Sequence, residues 1–237
     1  MTKQEIQQQY EKAGGEFYSS PVVLSDKLKQ VKVLVFDWDG VWHSGRKTGN
    51  ISSFSEVDSM GLNMLRFCYY LETGSIPITL IITGEQNVTA FDFAEREHMD
   101  GVFYKAKNKG EALDFLNERW GVKDHEVLFA FDDILDLGMA SRAGVKYLVN
   151  RTGSAMFHHL VAKKGWVDYK TAYAGDNNGV RELCELSIGL LGRFDEVVEG
   201  RMNTSPTYQT YWAARNEQPT AYFTPQNGIY TKVDRPQ

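Results

Sequence analysis

Short apolar runs alternate along the chain with longer segments that mix apolar and polar residues. The run 31–36 is mostly apolar and β-branched, and an acidic turn that contains glycine follows it, as is typical of a buried parallel strand. Strands that alternate with helices imply right-handed crossovers, so the expected fold class is α/β with a doubly wound, Rossmann-like parallel sheet. The pattern predicts further strands at 78–82, 101–104, 126–131 and 145–149, and helices at 3–12, from Asp58 or Ser59 to 72, and at 87–97, 109–119, 134–143, 154–164 and 179–191.

Two regions depart from this alternation. Residues 41–56 contain two glycines and end in an alternating apolar pattern, which predicts a β-hairpin flap. The chain from Gly200 onward is rich in proline and aromatic residues, and we expect it to pack on its own domain or on a neighbouring subunit. The chain is therefore divided into an N-terminal helical extension (1–29), a main domain (30–199) and a C-terminal tail (200–237).

Composition and charge narrow the possible partners. The chain has 237 residues and a formal net charge of −5, which gives no basic surface for nucleic acid. Its two cysteines, Cys68 and Cys184, are too few for a disulfide framework and are expected to be reduced core residues. No apolar run is long enough to cross a membrane and the first residues are polar, so we expect a cytoplasmic protein that binds a small ligand or a metal.

Polar side chains follow four of the predicted strands, where the carboxyl ends of a parallel sheet meet and ligands bind. Several carboxylates that converge with one lysine would repel each other unless a divalent cation lay among them, and oxygen ligands favour Mg²⁺. These positions are Asp37 and Asp39, then Thr83 with Gly84, then Lys109, and finally Asp132, Asp133 and Asp136.

Mg²⁺ commonly binds one or two carboxylates together with phosphate oxygens, so phosphoryl chemistry is the natural use of such a site. One carboxylate can attack phosphorus to give an aspartyl-phosphate, and a carboxyl two residues away can protonate the leaving oxygen and then activate water. Taken singly, Asp37 and Asp39 could be turn residues and Thr83 could be a helix cap. Their order along the chain favours the catalytic interpretation.

The four motifs in order resemble those of the haloacid dehalogenase superfamily. The short insert between the first two motifs, together with the segment 179–184, resembles the 3-deoxy-D-manno-octulosonate 8-phosphate phosphatase family, and the resemblance covers about residues 30–195. The motifs are Asp37-x-Asp39-Gly40-Val41, Ile-Ile-Thr83-Gly84, Asn108-Lys109 and Asp132-Asp133-x-x-Asp136.

The resemblance implies a capless phosphatase domain, Mg²⁺ dependence and a homotetramer in which the flap and C-terminal segment of one subunit close a neighbour's site. It implies that Asp37 is the nucleophile and a metal ligand. Asp39 would be the general acid and base and would bind the metal through its carbonyl. The remaining implied roles are phosphoryl binding by Thr83 and Lys109, metal binding by Asp132 and Asp133 with support from Asp136, and substrate binding by Gly84, Glu85, Asn108 and Arg181.

The expected activity is hydrolysis of a small phosphorylated metabolite, such as 3-deoxy-D-manno-octulosonate 8-phosphate or a related sugar acid phosphate. Glu85 stands where these phosphatases usually carry arginine, and Phe131 stands where glycine is usual. A catalytically weak or silent member of the fold, acting as a binding or scaffolding subunit, is therefore the alternative. A signalling receiver domain fits less well, because Asp39-Gly40 and an acidic cluster after the lysine are not expected there.

Overall fold

The computed structural model describes residues 1–49 and 51–236; Asn50 of the predicted flap and Gln237 of the tail lie outside the described residues. Its strands are β1 (Glu16–Phe17), β2 (Val33–Asp37), β3 (Ile78–Ile82), β4 (Gly101–Phe103), β5 (Val127–Phe131), β6 (Val145–Leu148), β7 (Tyr169–Lys170), β8 (Ala221–Gln226) and β9 (Ile229–Val233). Its α-helices are α1 (Lys3–Ala13), α2 (Pro21–Leu28), α3 (Glu56–Thr73), α4 (Val88–Arg96), α5 (Lys109–Trp120), α6 (Leu137–Ala140), α7 (Ala155–Lys163), α8 (Gly179–Leu190), α9 (Phe194–Met202) and α10 (Pro206–Asn216).

Within the described residues these strands form a nine-stranded sheet in the order β1-β7-β6-β5-β2-β3-β4-β8-β9. All neighbours from β7 to β8 pair in parallel, and antiparallel pairs occur only at the two edges of this sheet. The predicted α/β class with a mostly parallel, doubly wound sheet is confirmed.

The central strand β2 is buried at every position. Its side chains alternate between two apolar clusters, with Leu34 and Phe36 in one and Val33 and Val35 in the other. Because successive strand residues point to opposite faces, the two clusters are the two faces of the sheet covered by helices. The end of β2 is therefore held rigidly in the centre of the molecule.

Two predicted helices differ from the observed ones. The helix expected to begin at Asp58 or Ser59 begins at Glu56, because the Ser55 side chain accepts a hydrogen bond from the Val57 amide. The helix expected at 134–143 is a 3₁₀ turn, Ile134–Asp136, followed by the short α6. A capping box between Asp133 and Asp136 tightens this turn.

The predicted flap hairpin is not confirmed. In the described part of 41–55, Thr48 and Ile51 form a single antiparallel bridge, and no paired strands are present. Trp38, just before this segment, and Trp42, near its start, are completely buried and pack against Phe93 of α4. The segment is thus a loop that is anchored to the body of the protein.

The C-terminal tail packs on its own domain, which is one of the two arrangements expected from the sequence. Helix α10 packs Tyr208 and Tyr211 against Phe67 of α3. Strand β8 then extends the sheet beside β4, and the antiparallel β9 follows a turn at Asn227 and Gly228. Both cysteines are free and buried, and none of the described helices is long and apolar enough to cross a membrane.

Candidate active site

The polar motifs meet at the carboxyl edge of the sheet. Strand β2 ends with Asp37, which pairs in register with Ile82, so Thr83 lies one residue beyond the nucleophile candidate on the neighbouring strand. On the other side of β2, strand β5 ends at Phe131 and leads directly into Asp132. Lys109 is the first residue of α5, which follows β4. The order of the strands therefore brings the four motifs together at one edge of the sheet, as the sequence predicted.

Three carboxylates and one ammonium form the buried centre of this edge. Oxygens of Asp37, Asp132 and Asp136 lie within 4.8 Å of one another, and all three residues are buried. The ammonium of Lys109 donates hydrogen bonds to the carboxylates of Asp37 and Asp136. The other oxygen of Asp136 accepts hydrogen bonds from the backbone amides of Asp132, at 3.1 Å, and Asp133, at 3.0 Å. Asp136 thus fixes both the lysine and the acidic loop.

Burial, together with the neighbouring charges, shifts the pKa values of this cluster. Burial, reinforced by the charges of Asp136 and Asp132, raises the pKa of Asp37 well above its usual value despite the nearby Lys109. Burial also raises the pKa of Asp132 to about 7, and the Asp136 charge adds to that effect. Burial alone would lower the pKa of Lys109, but the two carboxylates that it contacts raise it. Asp37 and Asp132 are therefore hard to ionise as they stand, and a cation bound between them would favour their charged forms.

A cation fits the atoms that this cluster leaves open. The Oδ1 atom of Asp132 is buried and has no hydrogen-bond partner among the described residues, which is costly for a carboxylate oxygen unless a ligand supplies one. Gly40 allows the backbone to approach this side chain, because a Cβ atom there would lie 2.0 Å from Oδ2 of Asp132. The backbone of Gly40 also has a φ of +94°, which favours glycine. The all-oxygen donor set suits Mg²⁺.

Asp133, predicted as a metal ligand, lies outside this cluster. It is exposed, and its Oδ1 accepts a hydrogen bond of 2.8 Å from the Ile134 amide. Its Oδ2 lies 3.1 Å from the Arg151 guanidinium, which also binds Asp132 at 2.6 Å. The structure therefore places Asp136, rather than Asp133, beside the other two buried carboxylates.

Asp39 lies beside the cluster in a separate set of hydrogen bonds. Its carboxylate contacts His43 Nε2 at 3.1 Å, Lys47 Nζ at 2.8 Å and Asn87 Nδ2 at 2.9 Å. Burial would raise the pKa of Asp39, but these three donors together lower it to about 2. Asn87 also donates to Thr83 Oγ1 at 2.6 Å, so it links the first and second motifs.

The sequence interpretation missed four of these contacting residues: His43, Lys47, Asn87 and Arg151. Arg151 follows the carboxyl end of β6, so the rule that located the other motifs could have found it. Asn87 precedes α4 and resembles an ordinary helix cap, although its side chain makes no capping bond. His43 and Lys47 lie in the loop after the first motif, where periodicity carries no information.

The predicted substrate-binding residues are dispersed. Gly84 is half-buried next to Leu135, and Glu85 is exposed one residue later. Asn108 caps α5 by accepting a hydrogen bond of 3.2 Å from the Gly110 amide. Arg181 pairs with Glu185 of its own helix and lines a cavity of about 670 Å³ between α1 and α8. Among the described contacts, none joins Arg181 to the acidic cluster.

Comparison with known proteins identifies the arrangement. No known protein-family profile matches the chain. The 3-deoxy-D-manno-octulosonate 8-phosphate phosphatase of Salmonella typhimurium is 26% identical over 182 residues, covering 75% of this chain and 89% of that protein. The Escherichia coli protein of the same name is 25% identical over 175 residues, covering 72% and 86%.

A solved structure shows that the fold is shared. The phosphatase of this name from Moraxella catarrhalis, in complex with magnesium, phosphate and KDO, superimposes with a TM-score of 0.62. It is 24% identical and the match covers 74% of this chain and 96% of that one. The chain has the haloacid dehalogenase fold and resembles these phosphatases. The resemblance inferred from the four motifs is confirmed.

Proposed function

We propose that this chain is a magnesium-dependent phosphomonoesterase of the haloacid dehalogenase type. Its substrate is a small phosphorylated metabolite of the sugar acid phosphate class, such as 3-deoxy-D-manno-octulosonate 8-phosphate. The observation that carries the proposal is the buried Asp37 carboxylate, which contacts Lys109 within an acidic cluster and is followed two residues later by Asp39. The names of the sequence relatives support the same activity.

In the proposed reaction, a carboxylate oxygen of Asp37 attacks phosphorus and the bond to the leaving oxygen breaks, so that the phosphoryl group moves to Asp37. The negative charge of the bound phosphate raises the proton affinity of Asp39, which takes up a proton and donates it to the leaving oxygen. Asp39 later takes a proton from the water that attacks phosphorus, which releases phosphate and restores Asp37. Lys109 and the Thr83 hydroxyl bind the phosphoryl oxygens. Lys109 also offsets the charge of Asp37, which it contacts directly.

Asp37, Asp132 and the Asp39 carbonyl would hold Mg²⁺, with Asp133 and Asp136 supporting the acidic loop around it. When bound, the ion supplies positive charge that offsets the carboxylates and the phosphoryl oxygens. Oδ1 of Asp132, which has no hydrogen-bond partner among the described residues, is the atom best suited to bind the ion.

Neither Phe131, which suggested a silent subunit, nor the two bulky tryptophans near the first motif obstruct the site. Trp38 and Trp42 are completely buried against Phe93, and Phe131 is buried in the core below the acidic loop. The contacts between Asp37, Lys109 and Asp136 are those of an assembled site. An active enzyme is therefore favoured over a scaffolding subunit.

The resemblance also leads us to propose a cytoplasmic homotetramer. Light scattering coupled to size-exclusion chromatography of the full chain tests the assembly directly, and a monomeric mass at enzyme-assay concentration would contradict it.

The activity is tested by phosphate release from p-nitrophenyl phosphate and from a panel that includes 3-deoxy-D-manno-octulosonate 8-phosphate. We expect turnover that requires Mg²⁺, is abolished by EDTA, and falls by at least about a thousandfold in Asp37→Asn. Asp195→Asn, which changes an exposed carboxylate on α9, is the matched control and should retain activity. A folded wild-type chain that releases no phosphate from any substrate would support the silent subunit instead.

A further inference from the structure

The loop that follows the first motif is folded onto its own active site. The Ser52 amide donates to Thr89 Oγ1 at 3.2 Å, and Trp38 Nε1 donates to Ser52 Oγ at 3.0 Å. The Phe54 ring packs against Phe93 with centroids 4.9 Å apart. These contacts tie the loop to α4 and fix where its side chains enter the site.

Lys47 is the side chain of this loop that reaches the catalytic residues. Its ammonium lies 2.8 Å from Asp39 Oδ1 and 2.7 Å from Asn87 Oδ1. The amide nitrogen of Asn87 is engaged with Asp39 and Thr83, so its oxygen is held toward the lysine. The Lys47 side chain is 26% exposed, so a bound substrate can contact it from solution.

The other donors around Asp39 cannot serve a substrate anion in the same way. The Gly45 amide donates to His43 Nδ1 at 3.1 Å, so the proton of the neutral ring is on Nε2 and is directed at Asp39. His43 is also 1% exposed, which excludes contact with the substrate.

The two cations that contact the acidic cluster or its loop each pair with two carboxylates, whereas Lys47 pairs with one. Lys109 is buried between Asp37 and Asp136, and Arg151 pairs with the acidic loop. Glu85 is exposed at the position where the resembling phosphatases usually carry arginine. It offers a substrate carboxylate no positive charge, so a cation elsewhere would have to bind one.

We propose that Lys47 is a specificity-determining residue that binds a carboxylate on the leaving group of the substrate. The inference rests on the proposed function, because it takes Asp39 as the group that meets the leaving oxygen. A cation 2.8 Å from Asp39 lies next to the leaving group. When the ammonium turns to a substrate carboxylate, Asp39 Oδ1 keeps only its contact with His43 and can meet the leaving oxygen.

Two phosphomonoesters of similar size test the proposal: 3-phosphoglycerate, which carries a carboxylate, and glycerol 3-phosphate, which does not. The measured quantity is the ratio of kcat/KM for the first substrate to that for the second. We expect the wild-type ratio to exceed about ten and to fall about tenfold in Lys47→Met, mainly through KM for 3-phosphoglycerate, as the loss of one charge-assisted hydrogen bond implies. Lys47→Arg keeps the charge and should retain most of the ratio.

Arg46→Met is the matched control, because it removes an exposed cation one residue away on the same loop. It should leave the ratio unchanged. A ratio that is unaffected by Lys47→Met overturns the proposal. An equal loss for both substrates also overturns it, since Lys47 would then only orient Asp39.

A binding measurement separates this proposal from the proposed function. With Mg²⁺ present, calorimetry on Asp37→Asn should show that an added Lys47→Met weakens 3-phosphoglycerate binding about tenfold and leaves glycerol 3-phosphate binding nearly unchanged. This outcome supports the role of Lys47 even if no substrate is turned over. Equal affinities of the two ligands for Asp37→Asn with Lys47 intact would refute it.

Discussion

At the scale of single residues, the buried carboxylates differ in how many donors reach them. Asp136 uses both oxygens, for Lys109 and for two backbone amides, so it acts as a positioning residue. Asp132 keeps one oxygen without a partner among the described residues and is therefore open to a cation. Asp58 of α3 is also buried, and its Oδ1 accepts a hydrogen bond of 2.7 Å from the Arg181 amide while its Oδ2 has no described partner.

The buried Asp58 carboxyl should make the free energy of unfolding depend on pH in a definite direction. Burial raises its pKa to about 6, although the Arg181 amide acts to lower it. The folded state then binds a proton more tightly than the unfolded state, so this residue's contribution to stability is greatest below the unfolded pKa near 4 and is lost as the pH rises through 6. Between pH 4 and pH 7 the free energy of unfolding should fall by on the order of 2–3 kcal/mol relative to Asp58→Asn.

Chemical denaturation of both proteins at several pH values measures this difference. Because other titrating groups are shared, they cancel when the variant is subtracted at each pH. Parallel pH profiles for the wild type and Asp58→Asn would show that Asp58 is solvated and does not contribute in this way.

At the scale of secondary structure, Ser55 connects the start of α3 to the start of α8. Ser55 Oγ accepts a hydrogen bond of 3.1 Å from the Val57 amide and donates one of 3.0 Å to Asn178, the residue before α8. Ser55→Ala should therefore lower the free energy of unfolding by about 1 kcal/mol. Ser53→Ala, at an exposed loop position two residues earlier, should have little effect. Thermal unfolding of the two variants tests whether Ser55 caps α3. Equal stability of the two would instead favour the start at Asp58 or Ser59 that the sequence pattern predicted.

The five strands from β2 to β6 were predictable because their apolar runs are buried on both faces, whereas the two-residue strands β1 and β7 are too short to give such a run. The helix starts were not, since a serine or aspartate at 55, 58 or 59 is equally suited to a cap and only tertiary contacts choose between them. The Asn227-Gly228 pair is a known hairpin signal and could have located β8 and β9, yet the aromatic composition of the tail obscured it.

Only part of the candidate site was predictable from the sequence. Strand ends located Asp37, Thr83 and Asp132, because the carboxyl edge of a parallel sheet is fixed by topology. The choice between Asp133 and Asp136 depended on the 3₁₀ turn, which directs Asp136 inward and leaves Asp133 exposed. Lys47 could not be predicted, since its position depends on loop contacts made far away in sequence.

At the scale of the whole molecule, one sheet unites the three segments into which the sequence was divided. Strand β1 comes from the N-terminal segment, and β8 and β9 come from the tail. A buried ion pair adds to this connection. Arg215 of α10 donates to Glu97 at 2.7 Å, and Glu97 also accepts hydrogen bonds from Ser59 and Arg96. The tail is thereby linked to α3 and to the end of α4, whose beginning carries Asn87.

Breaking this ion pair should cost far more than breaking one at the surface. Both side chains of the Arg215–Glu97 pair are at most 8% exposed, so Arg215→Met leaves one buried oxygen of Glu97 without its cation, while Arg96 still contacts the other. The free energy of unfolding should fall by about 1.5–3 kcal/mol. Arg235→Met removes a more exposed pairing with Asp92 and should cost less than about 1 kcal/mol. Adding Glu97→Gln to Arg215→Met should restore part of the loss, because the negative charge on the oxygen that lost Arg215 disappears. If urea denaturation gives equal, small losses for both arginine variants, the tail is not integrated into the core as described.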